Sequence, residues 1–561
     1  MSADNLLKIG WFLLTAWLVA CAFLVQGEYG DGYQTIANAR YLFGDASAVF
    51  VQRGPLPAIV LWPVEFIAGL TGVDPLDVRP HHFLSAALHS LYLAGCWWCL
   101  QRVPGSGYAR LFAFGAAILT VIFYAYAPYL SHDLLPGLLF VIMIFLAHRW
   151  IDKGGSGDAV LLVLLGAAVT LIKQTYALYW VAIVVFALLS FALRWEQARI
   201  DLHKVGLLMG MATASAVISW LSYALHVGDL AADSTFLARP FVLISAIATQ
   251  YGDDMASAFA TDLYFRNLPN YGVAAMLLVL PGVVLALRGA DARLRMLAVC
   301  WLVSAVALQF IGFREARYLG FLAPLTALLI VPVVDVAFRH RAAAALLVAI
   351  LAFDQFRGLS LAAGQLGTAR TFDVMAFYNA AGSEGRVVSS KVLSFAYAAA
   401  SPLSRDRYHG IYHLTPELIE RLNEGATAVA GISDPRGLGL AGIRTGDRVY
   451  YTNNTLVRNP PWNAANEPNG LDQYLLIAGS AIDVRLRAAD GGGFVRENND
   501  GSFLVFIPAE AAGPQMPAIA AGRLDAASAQ RIYGATAGDG VLDVVAVEIK
   551  AICQGRTCSQ F

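Results

Sequence analysis

A few ionisable residues lie at the ends of long apolar segments, where they could take part in chemistry at a membrane surface. Asp31 follows the first apolar segment, Asp133 opens a later one, and Lys173 lies between two others. A cation between two apolar helices, such as Lys173, is costly unless it is paired, by about 2.5 to 3.5 kcal/mol on insertion scales for a central position, which favours a function for it. A carboxylate can remove a proton from a hydroxyl group, and Lys or Arg can stabilise a departing phosphate.

These two chemistries assign a role to each candidate. Asp31 is the candidate general base, which could contribute roughly 10²- to 10⁴-fold to a rate, and Asp133 is a second catalytic candidate. Arginine makes forked contacts to phosphate oxygens, and lysine supplies a point charge. The candidate phosphate-binding residues are Arg53, Lys173, Arg314 and Arg317. Further candidate substrate contacts are Tyr33, His132, Gln174, Asp253, Glu315 and Tyr318.

Each candidate also has an ordinary structural explanation. Gly-Asp-Gly forms turns readily, and an aspartate such as Asp31 is a good helix N-cap. Asp133 precedes an apolar run and could simply mark the start of a helix. Arg53 could extend towards lipid headgroups, and the charges at 314–317 could pair with one another. Asp253 fits a solvated loop, so these alternatives stay open at this stage.

The composition places these residues in a membrane protein. The chain has 561 residues, of which 58% are hydrophobic and 14% are charged, and its mean hydropathy is +0.59. These values exclude a soluble globular protein for the first two thirds of the chain. The net charge of −1, with dispersed Lys and Arg, gives no reason to expect a nucleic acid partner.

About eleven segments are long and apolar enough to predict crossings of the ~30 Å hydrocarbon layer. We predict a polytopic α-helical membrane protein in which Lys173-Gln174-Thr175 forms the turn between two neighbouring spans. The predicted spans run from 6 to 26, 81 to 101, 110 to 129, 134 to 149, 159 to 172, 177 to 193, 205 to 226, 271 to 287, 296 to 311, 318 to 337 and 342 to 357.

The basic residues predict the orientation. With a cytoplasmic N-terminus, every inner loop carries Lys or Arg, as the positive-inside rule requires. These inner residues are Lys8, Arg102, Arg110, Arg149, Lys153, Arg194, Arg199, Lys204, Arg288, Arg293, Arg295, Arg339 and Arg341. Lys173, Arg314 and Arg317 then lie together at the outer face. We therefore expect a bacterial inner (plasma) membrane protein with its C-terminal region periplasmic or extracellular.

Two domains follow from this topology: a transmembrane domain at 1–358 and a soluble exoplasmic domain at 359–561. The second contains strand-like alternation at 541–550 and a predicted hairpin at 494–505, turning at Asp500-Gly501. Cys553 and Cys558 could form a disulfide bond there, because that compartment is oxidising. The first exoplasmic loop, 27–80, contains a predicted interfacial helix at 33–41 and a half-apolar stretch at 58–69 that is expected to re-enter or lie flat.

The order of these features resembles the GT-C glycosyltransferases, in particular the branch of protein O-mannosyltransferases, aminoarabinose transferases and lipopolysaccharide-core transferases. The resemblance covers residues 1 to about 340. Its pieces are Asp31-Gly32-Tyr33, Arg53-Gly54-Pro55, His132-Asp133-Leu134-Leu135, Leu171-Ile172-Lys173, and Arg317-Tyr318-Leu319 with Pro324. The branch often has Asp-Glu at the first piece, whereas Gly32 follows Asp31 here. A second carboxylate would then have to come from Glu28 or Asp133.

The resemblance implies an enzyme that moves one sugar from a polyprenyl-phosphate donor to an exoplasmic hydroxyl group, usually with inversion. The acceptor could be a lipid, a glycan or a protein, and membrane lipids would surround the enzyme. No cofactor is required, because side chains can neutralise a lipid monophosphate; a divalent cation is compatible with the chemistry. The alternatives are a polyprenyl-linked polysaccharide polymerase or ligase, a polytopic lipid or glycan transporter, and a non-catalytic receptor. A transporter would be expected to show repeats and interrupted helices, which the sequence does not show.

Overall fold

The computed structural model describes residues 3–25, 28, 30–42, 53–73, 77–195, 200–227, 234–241, 271–308 and 316–368, and beyond them ten short strands. Among these described residues, seven helices are long and apolar enough to cross a membrane: Ala3–Leu24, Arg79–Leu100, Leu135–Lys153, Gln174–Ala192, Leu202–His226, Arg317–Ala337 and Arg341–Ala363. Shorter apolar helices lie at Pro55–Thr71, Gly107–Ile118, Ser156–Ile172 and Val273–Arg288. The prediction of a multi-pass helical membrane protein is confirmed.

The helices follow one another with short connections in most of the described part. They are α1 (Ala3–Leu24), α2 (Gly30–Tyr41), α3 (Pro55–Thr71), α4 (Arg79–Leu100), α5 (Gly107–Ala113), α6 (Val121–Tyr126), α7 (Leu135–Lys153), α8 (Ser156–Ile172), α9 (Leu178–Ala192), α10 (Leu202–Val227), α11 (Val273–Arg288), α12 (Ala292–Leu308), α13 (Ala323–Ala337) and α14 (Arg341–Thr368). A π-helical turn covers Phe114–Ile118, and 3₁₀ segments cover Gln174–Ala177, Phe236–Ala238 and Ala316–Leu322. Each of the eleven predicted spans overlaps helical structure within the described residues.

Helix α13 lies at the centre of the bundle. It packs against α11, α5 and α12, and most of its residues are buried. Leu325, Leu329 and Ile330 have no exposed surface. A helix that is apolar on every face belongs in such a position. Around it, α1 packs on α4, α10 packs on α8, and α9 packs on α12.

The predicted span at 110–129 is broken rather than continuous. The π-helical turn ends α5, and α6 begins at Val121 after the N-cap Thr120, whose hydroxyl group accepts from the N–H of Phe123 at 3.4 Å. Gln355 of α14 donates from its amide nitrogen to the carbonyl oxygens of Gly115 at 2.9 Å and Leu119 at 2.8 Å. A broken helix in a membrane needs partners of this kind for its released carbonyl groups.

Two helices fold within the first predicted loop. Helix α2 confirms the helix expected at 33–41, and α3 spans the half-apolar stretch. Proline at the first position and Gly72, with a φ of 69°, set the two ends of α3. Its 17 residues are at the lower limit for a crossing. Helix α2 packs on α3, so the segment that begins with Asp31 rests on a helical support.

The described strands of the C-terminal region form three sheets. The strands are β1 (Val387–Ser390), β2 (Tyr408–Ile411), β3 (Arg448–Tyr451), β4 (Tyr474–Ile477), β5 (Phe494–Glu497), β6 (Phe503–Pro508), β7 (Gly522–Arg523), β8 (Val545–Glu548), β9 (Ile552–Gln554) and β10 (Thr557–Ser559). The sheet orders are β2-β1-β3-β8-β7, β4-β6-β5 and β10-β9. The predicted hairpin is present as β5 and β6, with Glu497 opposite Phe503.

The last two strands place Cys553 opposite Cys558 in an antiparallel pair. Their side chains lie outside the described residues, so the disulfide bond stays a prediction. The cysteines that the structure does describe, Cys21, Cys96, Cys99 and Cys300, are free and buried. Helix α14 continues to Thr368, ten residues beyond the predicted domain boundary at 358.

Candidate functional site

The loop that carries Arg53 is pressed against the end of α8. A Cβ atom added to Gly54 would lie 2.0 Å from the carbonyl oxygen of Leu171 and 2.5 Å from that of Ile172. Only glycine permits this approach of two backbones. The carbonyl oxygen of Arg53 also lies 3.0 Å from Nε2 of His226 on α10. The loop therefore brings Arg53 to the same place as Lys173, which follows α8 directly.

A second close approach brings Arg317 to Asp133. A Cβ atom added to Gly137, in the first turn of α7, would lie 2.4 Å from the carbonyl oxygen of Phe321. The 3₁₀ segment at Ala316–Leu322 thus rests on the start of α7, immediately after Asp133. Two distant parts of the sequence each contribute a charged residue to one place.

Two carboxylates and three cations meet there. Arg53 pairs with Oδ1 of Asp31, and Nη1 of Arg317 lies 2.8 Å from Oδ2 of the same carboxylate. Nε of Arg317 lies 3.5 Å from Oδ2 of Asp133, and Nζ of Lys173 lies 3.2 Å from Oδ1 of Asp133. Arg317 therefore joins the two carboxylates. We call these five residues the charged cluster.

Neutral side chains surround the charged cluster. The hydroxyl group of Tyr176 lies 3.0 Å from Oδ1 of Asp133, and Gln34 accepts from Nε of Arg53 at 2.5 Å. The ring of Tyr318 lies 3.9 Å from Nζ of Lys173, a cation–π contact. His132 lies beside the cluster, with Nε2 at 2.7 Å from the hydroxyl oxygen of Thr35. These contacts restrain the charged groups without adding charge.

Burial and charge determine the protonation states of the cluster. Burial alone would raise the pKa of the Asp31 carboxyl group, but Arg317, Arg53 and Lys173 together hold it below its usual range. The pKa of Asp133 is likewise lowered, since Lys173 and Arg317 outweigh its burial. Burial lowers the pKa of Lys173, although Asp133 opposes that effect. Both carboxylates are therefore ionised at neutral pH.

His132 is neutral at the same pH. Burial lowers the pKa of its imidazole to about 4, against the opposing influence of Asp133 and Asp31. The cluster then carries three positive and two negative charges, with His132 contributing none. Among the described residues, no group of three or more His, Cys, Asp or Glu side chains gathers that could hold a metal ion.

The predicted site residues fall into three groups. The structure brings together Asp31, Asp133, Arg53, Lys173, Arg317, His132 and Tyr318. Two other predicted residues, Tyr33 and Gln174, are near Asp31 and Lys173 in the sequence, but their described contacts are not with the charged cluster. Tyr33 is 2% exposed and accepts from the N–H of Glu28 at 3.1 Å, whereas the amide nitrogen of Gln174 is buried and has no hydrogen-bond partner in the part of the chain that the structure describes. Arg314, Glu315 and Asp253 lie outside the described residues.

The departure at Gly32 has a structural reason. A Cβ atom added there would lie 2.1 Å from Cγ of Glu28, so the glycine makes room for that side chain. The Glu28 carboxylate is buried and accepts from the N–H of Leu130 at 3.0 Å, with Nε2 of His82 at 2.9 Å. Of the two expected sources of a second carboxylate, Asp133 is the one that shares Arg317 with Asp31.

Sequence reasoning missed Gln34, Thr35 and Tyr176. Gln34 and Thr35 are both at most 2% exposed, although α2 was expected to lie along the membrane interface. One signal was present: three polar residues, Gln34, Thr35 and Asn38, share one face of a helix with Asp31. Tyr176 carried no signal, because one aromatic residue in an apolar run is ordinary.

Comparisons with known proteins give a likeness of fold. No protein-family model matches the sequence, and no curated protein does. The structure is similar to ArnT from Cupriavidus metallidurans bound to undecaprenyl phosphate, with 11% identity, a TM-score of 0.49 and coverage of 91% of this chain and 99% of that one. It is also similar to the oligosaccharyltransferase AglB from Archaeoglobus fulgidus in complex with an inhibitory peptide and a dolichol-phosphate, with 12% identity, a TM-score of 0.43 and coverage of 88% and 74%.

Both of these proteins are matched over most of the present chain. Identities of 11 and 12% concern the fold alone.

Proposed function

We propose that this chain is a membrane glycosyltransferase, which moves a single sugar from a polyprenyl-phosphate donor to an exoplasmic acceptor hydroxyl group of a lipid, a glycan or a protein. The observation that carries the proposal is Arg317, which contacts both Asp31 and Asp133 while Arg53 and Lys173 complete the cluster. A proton acceptor and several cations for phosphate are thus contiguous. Sugar transfer from a lipid phosphate needs both at once.

The charge of the cluster supports a monophosphate donor. Three cations and two carboxylates leave one positive charge among the described residues. A sugar linked to a lipid through one phosphate carries one negative charge, so its binding brings the site to neutrality. A pyrophosphate-linked glycan carries two, which would leave the buried site with an uncompensated charge. The polymerase or ligase alternative is less well matched for this reason.

The proposed reaction is a single displacement. The acceptor oxygen attacks the anomeric carbon as its proton moves to an oxygen of Asp31, and the carbon–oxygen bond to phosphate breaks. The lipid phosphate leaves with a second negative charge, while Asp31 has gained a proton, so the charge of the site is unchanged. Arg53, Arg317 and Lys173 stabilise the phosphate as its charge grows. A single displacement inverts the anomeric centre. We propose that these cations suffice without a metal ion.

Sugar transfer by the purified chain tests the proposal. Radiolabelled sugars on polyprenyl monophosphate would be offered with membrane lipids as acceptors, with and without a chelator. Asp31→Asn should bind donor yet transfer at least about 100-fold more slowly, as expected for loss of a general base. Asp152→Asn is the matched control, because Asp152 lies at the opposite end of α7 from the cluster, where it pairs with His148 at 3.3 Å.

Near-normal turnover by Asp31→Asn would remove this residue as the base. Transfer from pyrophosphate-linked glycans but not from monophosphate sugars would favour the polymerase or ligase alternative. Movement of donor across a vesicle membrane without any transfer would favour a transporter.

A further inference from the structure

A side-chain connection links the two segments that carry the carboxylates. Thr35 lies one helical turn after Asp31 on α2, and its hydroxyl group donates to the carbonyl oxygen of Asp31 at 2.8 Å. The hydroxyl oxygen of Thr35 also lies 2.7 Å from Nε2 of His132, which directly precedes Asp133. Thr35 has no exposed surface, so water does not compete for these bonds. The chain from Asp31 through Thr35 and His132 to Asp133 is continuous.

The protons of this connection can be assigned. A hydroxyl group has one proton, and Thr35 gives it to the carbonyl oxygen of Asp31. The short contact to His132 is therefore a bond from Nε2–H of the imidazole to the hydroxyl oxygen. This needs the neutral tautomer with its proton on Nε2. The structure thus gives His132 a single defined role towards α2, that of a hydrogen-bond donor.

The segment of His132 is held on its other side as well. The hydroxyl group of Tyr176 lies 3.2 Å from the carbonyl oxygen of His132 and 3.0 Å from Oδ1 of Asp133. The N–H of Asp133 donates to the hydroxyl oxygen of Ser131 at 3.3 Å. The segment that carries His132 is thus held in place by Tyr176 and Ser131. Its bond to Thr35 connects this segment to the first turns of α2.

We propose that His132 is a positioning residue, which fixes Asp31 relative to Asp133 through the hydroxyl group of Thr35. The inference rests on the proposed function. Two like charges repel each other, and Arg317 now holds them together. When phosphate takes a share of the hydrogen bonds of Arg317, that attraction weakens. The neutral connection through Thr35 does not depend on charge, so it keeps the base in place during the reaction.

The test compares variants that keep or remove this bond. Thr35→Val has the shape of threonine without the hydroxyl group, and Thr35→Ser keeps it. His132→Leu removes the donor from the other side, and the double variant removes both. The matched control is Thr213→Val, because Thr213 makes the same kind of bond, to the carbonyl oxygen of Met209 at 2.9 Å, on an exposed part of α10.

Thr35→Val and His132→Leu should each lower kcat about 10- to 100-fold, the range expected when a reacting group shifts by about 1 Å. The donor KM should change by less than about threefold, since the phosphate ligands are intact. The double variant should lose no more than the worse single variant, because both changes break one connection. Thr35→Ser should retain most of the wild-type kcat, and Thr213→Val should match the wild type.

A wild-type kcat in Thr35→Val would overturn the inference, as would losses that multiply in the double variant. A rise in donor KM with unchanged kcat would overturn it as well. If Thr35→Val does not accumulate in the membrane, His132→Gln against His132→Leu makes the same comparison, since the Gln amide can donate from the position of Nε2. Inactivity of the wild-type chain would instead contradict the proposed function.

Discussion

The residue that joins the two carboxylates gives the sharpest test of the charged cluster. Arg317→Gln keeps a polar, though shorter, side chain and removes the charge that lies 2.8 Å from Asp31 and 3.5 Å from Asp133. Asp31 then keeps only Arg53 as a direct partner among the described residues. Burial, which raises the pKa of the Asp31 carboxyl group, is opposed by less positive charge. The pKa of Asp31 must therefore rise.

The size of the rise follows from the contact distances. Charge centres about 4 Å apart interact by about 4 kcal/mol at an effective dielectric constant of about 20. One pKa unit corresponds to about 1.36 kcal/mol, so the loss of Arg317 raises the pKa of Asp31 by about one to three units. A base works only when deprotonated, so activity disappears as the pH falls through this pKa. In the wild type, the acidic limb of the pH–rate profile lies below the usual aspartate pKa of about 4. In the variant, this limb moves to higher pH.

The kcat/KM of sugar transfer, measured from about pH 2 to 8, would show this shift, because it reports the pKa values of the free enzyme. The maximal rate should also fall, because Arg317 no longer stabilises the departing phosphate. Arg339→Gln is the control, since Arg339 is 72% exposed and pairs weakly, at 3.8 Å, with Asp335 one turn away. A lower rate with an unchanged acidic limb would refute the argument, because it would show that Arg317 does not set the charge state of the base.

Three further predictions concern the support of the site, the bundle and the tail. Gly54→Ala should lower turnover about 10- to 100-fold, because its Cβ atom would meet a carbonyl oxygen at 2.0 Å and displace the neighbouring phosphate ligand; Gly210→Ala, where nothing lies within 4 Å, should have normal activity. Asp354→Leu should lower the apparent melting temperature, because it removes the carboxylate that accepts from the N–H groups of Val273 and Ala274. The expected loss in the free energy of unfolding is about 1 to 3 kcal/mol. Alkylation of Cys553 and Cys558 should require prior reduction, and ready labelling of the untreated protein would show free thiols.

The sequence was sufficient to predict the helices and most of the charged cluster. Long apolar runs give the helices directly, because the hydrocarbon thickness fixes their length. Asp31, Asp133, Lys173 and Arg317 stood out because each is an ionisable residue at the end of such a run. Their arrangement was not visible in the sequence. This arrangement depends on two places where backbone segments approach closely, at Gly54 and at Gly137. In both cases the partner segment lies far along the chain.

The break between α5 and α6 could not be predicted for a similar reason. The run at 110–129 is apolar, and an unbroken helix would satisfy its own backbone. The broken form is stable because Gln355, more than two hundred residues later in the chain, bonds to the carbonyl groups of Gly115 and Leu119. Local propensity cannot report such a partner. The alternative explanation of Asp133 as a helix cap was also local, and the structure instead pairs its side chain with Lys173 and Arg317.

The guanidinium groups that hold Asp31 are the same groups proposed to bind phosphate, and the two roles depend on each other. A guanidinium group that turns some of its hydrogen bonds to phosphate neutralises the carboxylate less, so the pKa of Asp31 rises. A base with a higher pKa accepts a proton more readily from a hydroxyl group. Donor phosphate would therefore strengthen the base that its own transfer requires. In the proposed mechanism, proton removal is thus linked through Arg53 and Arg317 to the presence of the donor.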